Sequence, residues 1–307
     1  MTTLAARLDD AHRRRRRGQA AIVVSALALS SAGVLQRELS LDVTTQIAGR
    51  ALFAGVALLL YVAVVEPGSV VSAFRSIGRA GVGVAASMAV ASGCFIIALN
   101  HTTVARVLVL QAASPMLAAL LARVALGERI SPRTWGAMVI AVVGVVVMVG
   151  GPGSGDLVGT VVSIVMAIAF AVAIVITRHR ADVSMAPAVC LAQWMLVVVA
   201  GPFAHPSQVG GDDVLLLVGI GAGQMGIGMA MFTVGARLIP AAEVALITLL
   251  EVVLGPVWVW LALAEQPDAA TLIGGAIVLL AVVVQILGDA GRPTSPDEGG
   301  PGPPLAT

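Results

Sequence analysis

The chain has 307 residues, 58% of them hydrophobic and only 11% charged, with a formal net charge of +1. An ordinary soluble domain carries roughly 25% charged residues, and so little charge cannot cover a water-facing surface, which excludes a soluble globular protein. Lysine is absent, so all 18 basic residues are arginine and their placement, rather than the total, carries the charge argument.

The chain opens on a basic segment over 1–19 that ends in the run Arg13 to Arg17. This run followed by an apolar stretch imitates a signal peptide. No small-x-small cleavage site with a soluble domain behind it follows, so the stretch reads as a retained first span. Apolar windows long enough to cross about 30 Å of hydrocarbon then predict spans over 20–36, 47–65, 80–99, 103–126 and 134–150. A second set follows over 156–177, 185–203, 213–232, 240–262 and 270–288. Arg37 and Glu38 cut the first span short. Cys94 and Cys190 both fall inside spans, which offers neither a disulfide framework nor a metal cluster and makes them packing residues. The tail over 291–307 is rich in proline and glycine and has too little apolar area to order itself, so it is expected to be disordered and dispensable.

Cytoplasmic segments retain positive charge during insertion. With the N-terminus inside, every arginine except Arg37, Arg50 and Arg106 falls in or beside a cytoplasmic segment, and both termini are cytoplasmic. The segments on the other side carry acids instead, among them Asp212, Asp213, Glu265 and Asp268.

An offset of 137 residues lays 98–128 over 235–265 without a gap. Each copy is a long span ending in a small residue and a glutamate, Ala125-Leu126-Gly127-Glu128 and Ala262-Leu263-Ala264-Glu265. A short polar turn and a glycine-bearing span follow each, at Trp135-Gly136 and Gly274-Gly275. Two halves of five spans, an odd number, must start on opposite faces, which agrees with the arginine distribution. The expected fold is therefore all-α and integral to the membrane, with ten transmembrane helices as two inverted five-helix repeats over 20–150 and 151–290. Inverted repeats typify secondary transporters, whose halves rock about a site near the midplane.

The segment from Ser114-Pro115 through Leu126-Gly127-Glu128 to Gly136 resembles a repeat of the EamA family, in the drug/metabolite transporter superfamily. Its partner from Leu249-Leu250-Glu251 through Ala264-Glu265 to Gly274-Gly275 resembles the second repeat. The resemblance implies ten helices, an inverted five-plus-five repeat and export of small metabolites, commonly amino acids. Val252 stands where the second copy usually carries proline, and Ala264 where it carries glycine.

Polar groups deep in a bilayer are costly and usually face a cavity or a partner. Glu251 lies eleven residues into the ninth span. It reads either as the group that meets a substrate amine or carries a coupling proton, or as a protonated carboxyl hydrogen-bonded to a neighbouring helix. Its repeat equivalent, Ser114, is also mid-span. Arg106 and Glu243 are equivalent too, but inversion puts them on opposite sides, so they read as separate gates or as residues snorkelling to the interface. Arg50 leans further towards snorkelling. Asn100, Gln111, Gln193, Trp194 and Gln224 are candidates for orienting hydrogen bonds and a stacking face in a cavity, or for bonds between helices. His101 sits in a short outer turn and is expected to be solvated. Pro115 and Pro256 are expected to interrupt spans four and nine as hinges.

Gly221, Gly223 and Gly226 spell a dinucleotide fingerprint, but mid-span they lack the preceding strand that it needs. Gly219 and Gly223 are expected instead to form a small-residue face for close helix contact. No phosphate-binding loop of the ATPase type occurs, and no His/Asp/Glu cluster suggests an enzyme. Aromatic residues make up only 4%, which argues against an aromatic cage for cations. The reading is a secondary transporter of the inner membrane that exports amino acids or similar small metabolites by alternating access, with protons as an available coupling ion. The alternatives are drug or cation efflux and an uptake permease. The partners implied are a small-molecule substrate and membrane lipid, with no nucleic acid, cofactor or metal.

Overall fold

The structure, a computed structural model, describes residues 4–66, 68–126, 132–149, 157–180, 184–236, 238–239, 241–264 and 266–290. Every regular element among them is helical: α1 (Leu4–Ser30), α2 (Ala32–Arg37), α3 (Val43–Val65), α4 (Val70–Ser76), α5 (Gly78–His101), α6 (Val104–Ala112) and α7 (Ser114–Leu126) come first. Then follow α8 (Pro132–Val149), α9 (Leu157–His179), α10 (Ala186–Ala200) and α11 (Gly211–Val218). A π-helical stretch (Gly219–Ile227), α12 (Gly228–Ala236), α13 (Ala241–Leu263) and α14 (Ala269–Ala290) complete the chain. The tail over 291–307 lies outside the described residues.

Lipid offers the backbone no hydrogen bonds, so a chain this apolar satisfies its amides within helices. Seven helical runs among the described residues are long and apolar enough to cross a membrane, from Arg13–Arg37 to Gly211–Ala236. Three apolar helical runs, Trp135–Val147, Ile247–Leu263 and Ala269–Val284, are shorter. Large apolar side chains point outward on these helices, Val64 at 83% and Val124 at 79% exposure, which hydrocarbon accepts and water would not. The chain is a multi-pass membrane protein.

The principal helix contacts each join the two halves of the sequence: α5 with α9, α8 with α14, α3 with α10, and α1 with α12 and α13. Glycines permit the closest approaches. A Cβ on Gly144 of α8 would fall 2.7 Å from the Gly274 carbonyl of α14. At one end of the bundle Arg37 donates to the Thr102 carbonyl at 2.8 Å and Thr44 to the Phe203 carbonyl at 2.9 Å. Gly159 abuts His101 and Thr102 at that same end. At the other end Gly18 abuts Leu238 and Ile239, and Ser184 donates to Glu66. The segments before α10 and after it thus lie at opposite ends.

Asp42 caps α3 at the first end, its carboxylate accepting from the Thr45 amide at 3.0 Å and from the hydroxyls of Thr44 and Thr45. Burial pushes this carboxyl up, but those hydrogen bonds and nearby His205 outweigh it and hold the pKa at about 2, against an ordinary 3.8.

Three features differ from the expected spans. Helix α1 starts well before Ala20 and runs through Arg13 to Arg17, whose side chains are exposed; arginine is a good helix former and needs no apolar partner there. The first span is then broken at Ser31, where the Ser30 and Ser31 hydroxyls bond back to the Leu27 and Ala28 carbonyls at 2.9 and 2.7 Å. The expected proline breaks divide: the fourth span breaks at Ala113, just before Pro115, whereas Pro256 leaves α13 continuous.

Candidate functional site

A cavity of about 340 Å³ lies where α3, α5, α6, α7, α9, α12, α13 and the π-helical stretch converge, with single residues of α1 and α14 at its edge. Its polar lining is Arg50, Ser92, Gln111, Ser114, Gln224, Thr248 and Glu251, and its apolar wall includes Phe95, Phe170, Met225 and Phe232. Ser114 and Glu251, equivalent across the 137-residue offset, thus reach the same space. Pro115 also lines it.

Two local irregularities build this cavity. The break at Ala113 turns the chain between α6 and α7, and the Ser114 hydroxyl donates to the Gln111 carbonyl at 2.6 Å. That bond holds both residues at the wall. The π-helical stretch is the second. Its i→i+5 spacing puts Gly221 and Gly226 on one face, against Phe53 and Ala57 of α3. A Cβ on Gly221 would fall 2.7 Å from the Arg50 carbonyl and 2.9 Å from the Ala54 amide nitrogen. A Cβ on Gly219 or Gly223, expected as the contact face, would meet nothing within 4 Å; α-helical spacing selected the wrong pair because this segment is wound wider. Gln224 is left at the cavity, its amide nitrogen donating to the Leu29 carbonyl at 3.5 Å and its Oε1 without a partner among the described residues.

Arg50 does not snorkel. It is 5% exposed, with Nη1 donating to Ser92 Oγ at 3.3 Å, Nη2 facing Met225 Sδ at 3.8 Å, and its guanidinium 5.6 Å from the Phe95 ring centroid. Its Nε has no partner, and it makes no ion pair among the described residues. Ser92 and Phe95, not singled out from the sequence, stand one turn apart on α5 and form this berth. Their i, i+3 spacing was the available signal.

The remaining candidates lie elsewhere. Arg106 is 1% exposed and pairs through Nη2 with Asp268 Oδ2 at 3.0 Å, while its Nε donates to Thr271 Oγ1 at 3.1 Å. Asp268 also caps α14 by accepting from the Thr271 amide at 2.7 Å. Snorkelling is overturned here as well, because the carboxylate comes to the buried arginine. Asn100 donates to Gln46 Oε1 at 2.9 Å and Gln36 to the same oxygen at 2.6 Å, forming a network at the Asp268 end. Trp194 packs with Val189 and Cys190 against α3, where a Cβ on Gly55 would come within 3.2 Å of its ring. Gln193 is buried with neither amide atom partnered among the described residues. The Glu243 side chain lies outside what is described. No metal-holding group of His, Cys, Asp and Glu occurs among the described residues.

The profile of the EamA-like transporter family matches residues 16–150 and again 154–287, nearly the entire helical part of the chain. The chain belongs to the EamA-like transporter family. Its two matches divide this transporter between α8 and α9, so the cavity takes residues from both repeats. No curated protein matches it. Among solved structures, 26 chains match. One of them, a crystal structure of a protein, superimposes with a TM-score of 0.63 over 88% of this transporter and 96% of that chain at 18% identity. At that identity the likeness shows the fold alone.

Proposed function

We propose that this EamA-like transporter is a secondary active transporter that exports amino acids or similar small metabolites across the inner membrane by alternating access. Ten helices, as five-helix units over 20–150 and 151–290 in opposite orientations with both termini cytoplasmic, form the path. Support for the inversion comes from the first helix of each half: α1 begins its span near Gly18 at one end, and α9 begins near Thr102 at the other.

The observation that carries the reading is the convergence of Gln111 and Ser114 from the first repeat with Gln224 and Glu251 from the second on one cavity. A cavity with a few convergent polar groups in an apolar wall is the usual form of a small-ligand site. Glu251 meets the substrate amine or exchanges it for a proton. Arg106 and Asp268 act as the gate at their end, closing it when paired, and the break before Pro115 is the hinge. In proteoliposomes, Glu251→Gln abolishes concentrative export while the protein stays folded. Export at the wild-type rate from that variant removes Glu251 from the mechanism.

A further inference from the structure

The central cavity holds a second charge that the amine-binding reading does not use. Arg50 is buried to all but 5% and lines the same cavity as Glu251. A guanidinium offers five N–H donors. Here two are directed to a hydroxyl and a thioether, the ring of Phe95 contributes its face, and Nε has no partner among the described residues. A hydroxyl at 3.3 Å, a sulfur at 3.8 Å and a ring face do not neutralise a buried cation, whose desolvation costs several kcal/mol unless an anion meets it. No carboxylate lies within ion-pair distance among the described residues, although Glu251 borders the same space.

We propose that Arg50 receives the carboxylate of the substrate, so that Arg50 and Glu251 form the two poles of a site for a small zwitterion with an apolar side chain. This rests on the export reading above and sharpens it to a substrate class. A planar guanidinium matches a carboxylate with paired hydrogen bonds, which an ammonium cannot do. The apolar wall of Phe95, Phe170, Met225 and Phe232 takes the side chain. At about 340 Å³, the cavity stands at the small end of the roughly 300–1,000 Å³ common for ligand sites. A lipophilic cation without a carboxylate meets Arg50 as a like charge, so the site selects against it.

The test measures binding to purified full-length protein by thermal shift and titration, with four probes that share the isobutyl group of leucine: L-leucine, L-leucinamide, isopentylamine and 4-methylpentanoate. L-Leucine is expected to bind wild-type protein at least roughly tenfold more tightly than any of the others, since each lacks one charged contact. Arg50→Gln loses that preference: L-leucine weakens by roughly tenfold or more while isopentylamine holds or tightens. Arg50→Lys falls between the two. A merely structural Arg50 would weaken all four probes together. The probe comparison needs only wild-type protein, so it decides the preference for a zwitterion even where a variant fails to fold. Isopentylamine binding as tightly as L-leucine overturns the carboxylate pole and leaves the transport reading standing. Binding of none of the four overturns this proposal and the amino-acid reading with it, whereas persistent leucine selectivity in Arg50→Gln overturns the role of Arg50 alone.

Discussion

Two arginines of the first repeat are almost equally buried, Arg106 at 1% and Arg50 at 5% exposure, yet the protein treats their charges differently. Arg106 is answered by Asp268 and Thr271, and Asp268 is itself fixed as the cap of α14. Arg50 is answered by a hydroxyl, a thioether and an aromatic face. In a low-dielectric interior a compensated cation behaves as structure, while an uncompensated one keeps a strong attraction for any anion that arrives. On the proposed reading, the contrast separates a gate that stays closed at rest from a site that accepts a ligand.

The largest effect is expected where the compensated pair is broken. Asp268→Asn keeps a competent helix cap but removes the counter-charge of Arg106. Breaking a fully buried pair costs about 3–5 kcal/mol. Asp268 is 26% exposed, which admits some water and places the loss near 3 kcal/mol, read as a lower melting temperature in detergent. Arg50→Met, by contrast, removes an uncompensated charge and is expected to leave the melting temperature unchanged or raised. A greater loss from Arg50→Met than from Asp268→Asn would break the comparison.

A middle-sized effect concerns the scaffold under Arg50. Gly221→Ala drives a Cβ against backbone atoms of α3, the Arg50 carbonyl and the Ala54 nitrogen, neither of which can swing aside as a side chain would. The cost is about 2 kcal/mol, typical of an overpacked site, with weaker probe binding because α3 carries Arg50. Gly223→Ala adds its methyl to open space and serves as the control, neutral or slightly stabilising. Equal losses from the two would mean that the close approach of the π-helical stretch to α3 does not position the cavity.

Much of this was legible in the linear chain, and the failures share a cause. Apolar windows located the helical runs because lipid demands length and hydropathy, which are local properties. The 137-residue offset brought Ser114 and Glu251 together on paper before the cavity did. Arg50 was misread because its position near a span end is all that the sequence displays. Its partners Ser92 and Met225 stand 42 and 175 positions away. For Arg106 the sequence leaves a gate and snorkelling both open, because the carboxylate that decides between them, Asp268, stands 162 positions away. Asn100 and Trp194 look alike in the sequence as candidates for a cavity lining, but long-range packing takes one to Gln46 and the other against Gly55. The glycine face failed for a local reason, since π winding is not encoded by any single residue in that run.

The smallest effect tests the connection that delivers Asp268 to Arg106. Ala264 occupies the position where the family's second repeat usually carries glycine, and its φ is 55°, the only positive value at a non-glycine residue among the described ones. An L-residue pays roughly 1–2 kcal/mol in that left-handed region, and the same conformation is the common terminator of a helix such as α13 when glycine supplies it. Ala264→Gly is therefore expected to stabilise the protein by about 1 kcal/mol, partly offset by the greater freedom of glycine in the unfolded chain. Its effect is confined to the Asp268 end, so the preference for L-leucine over isopentylamine should not move. In the Asp268→Asn background the gain should persist, because relief of backbone strain does not depend on the ion pair. A gain that vanished in that background would show that the strained turn and the Arg106 pair are one unit, with the strain held in place by the closure of that end.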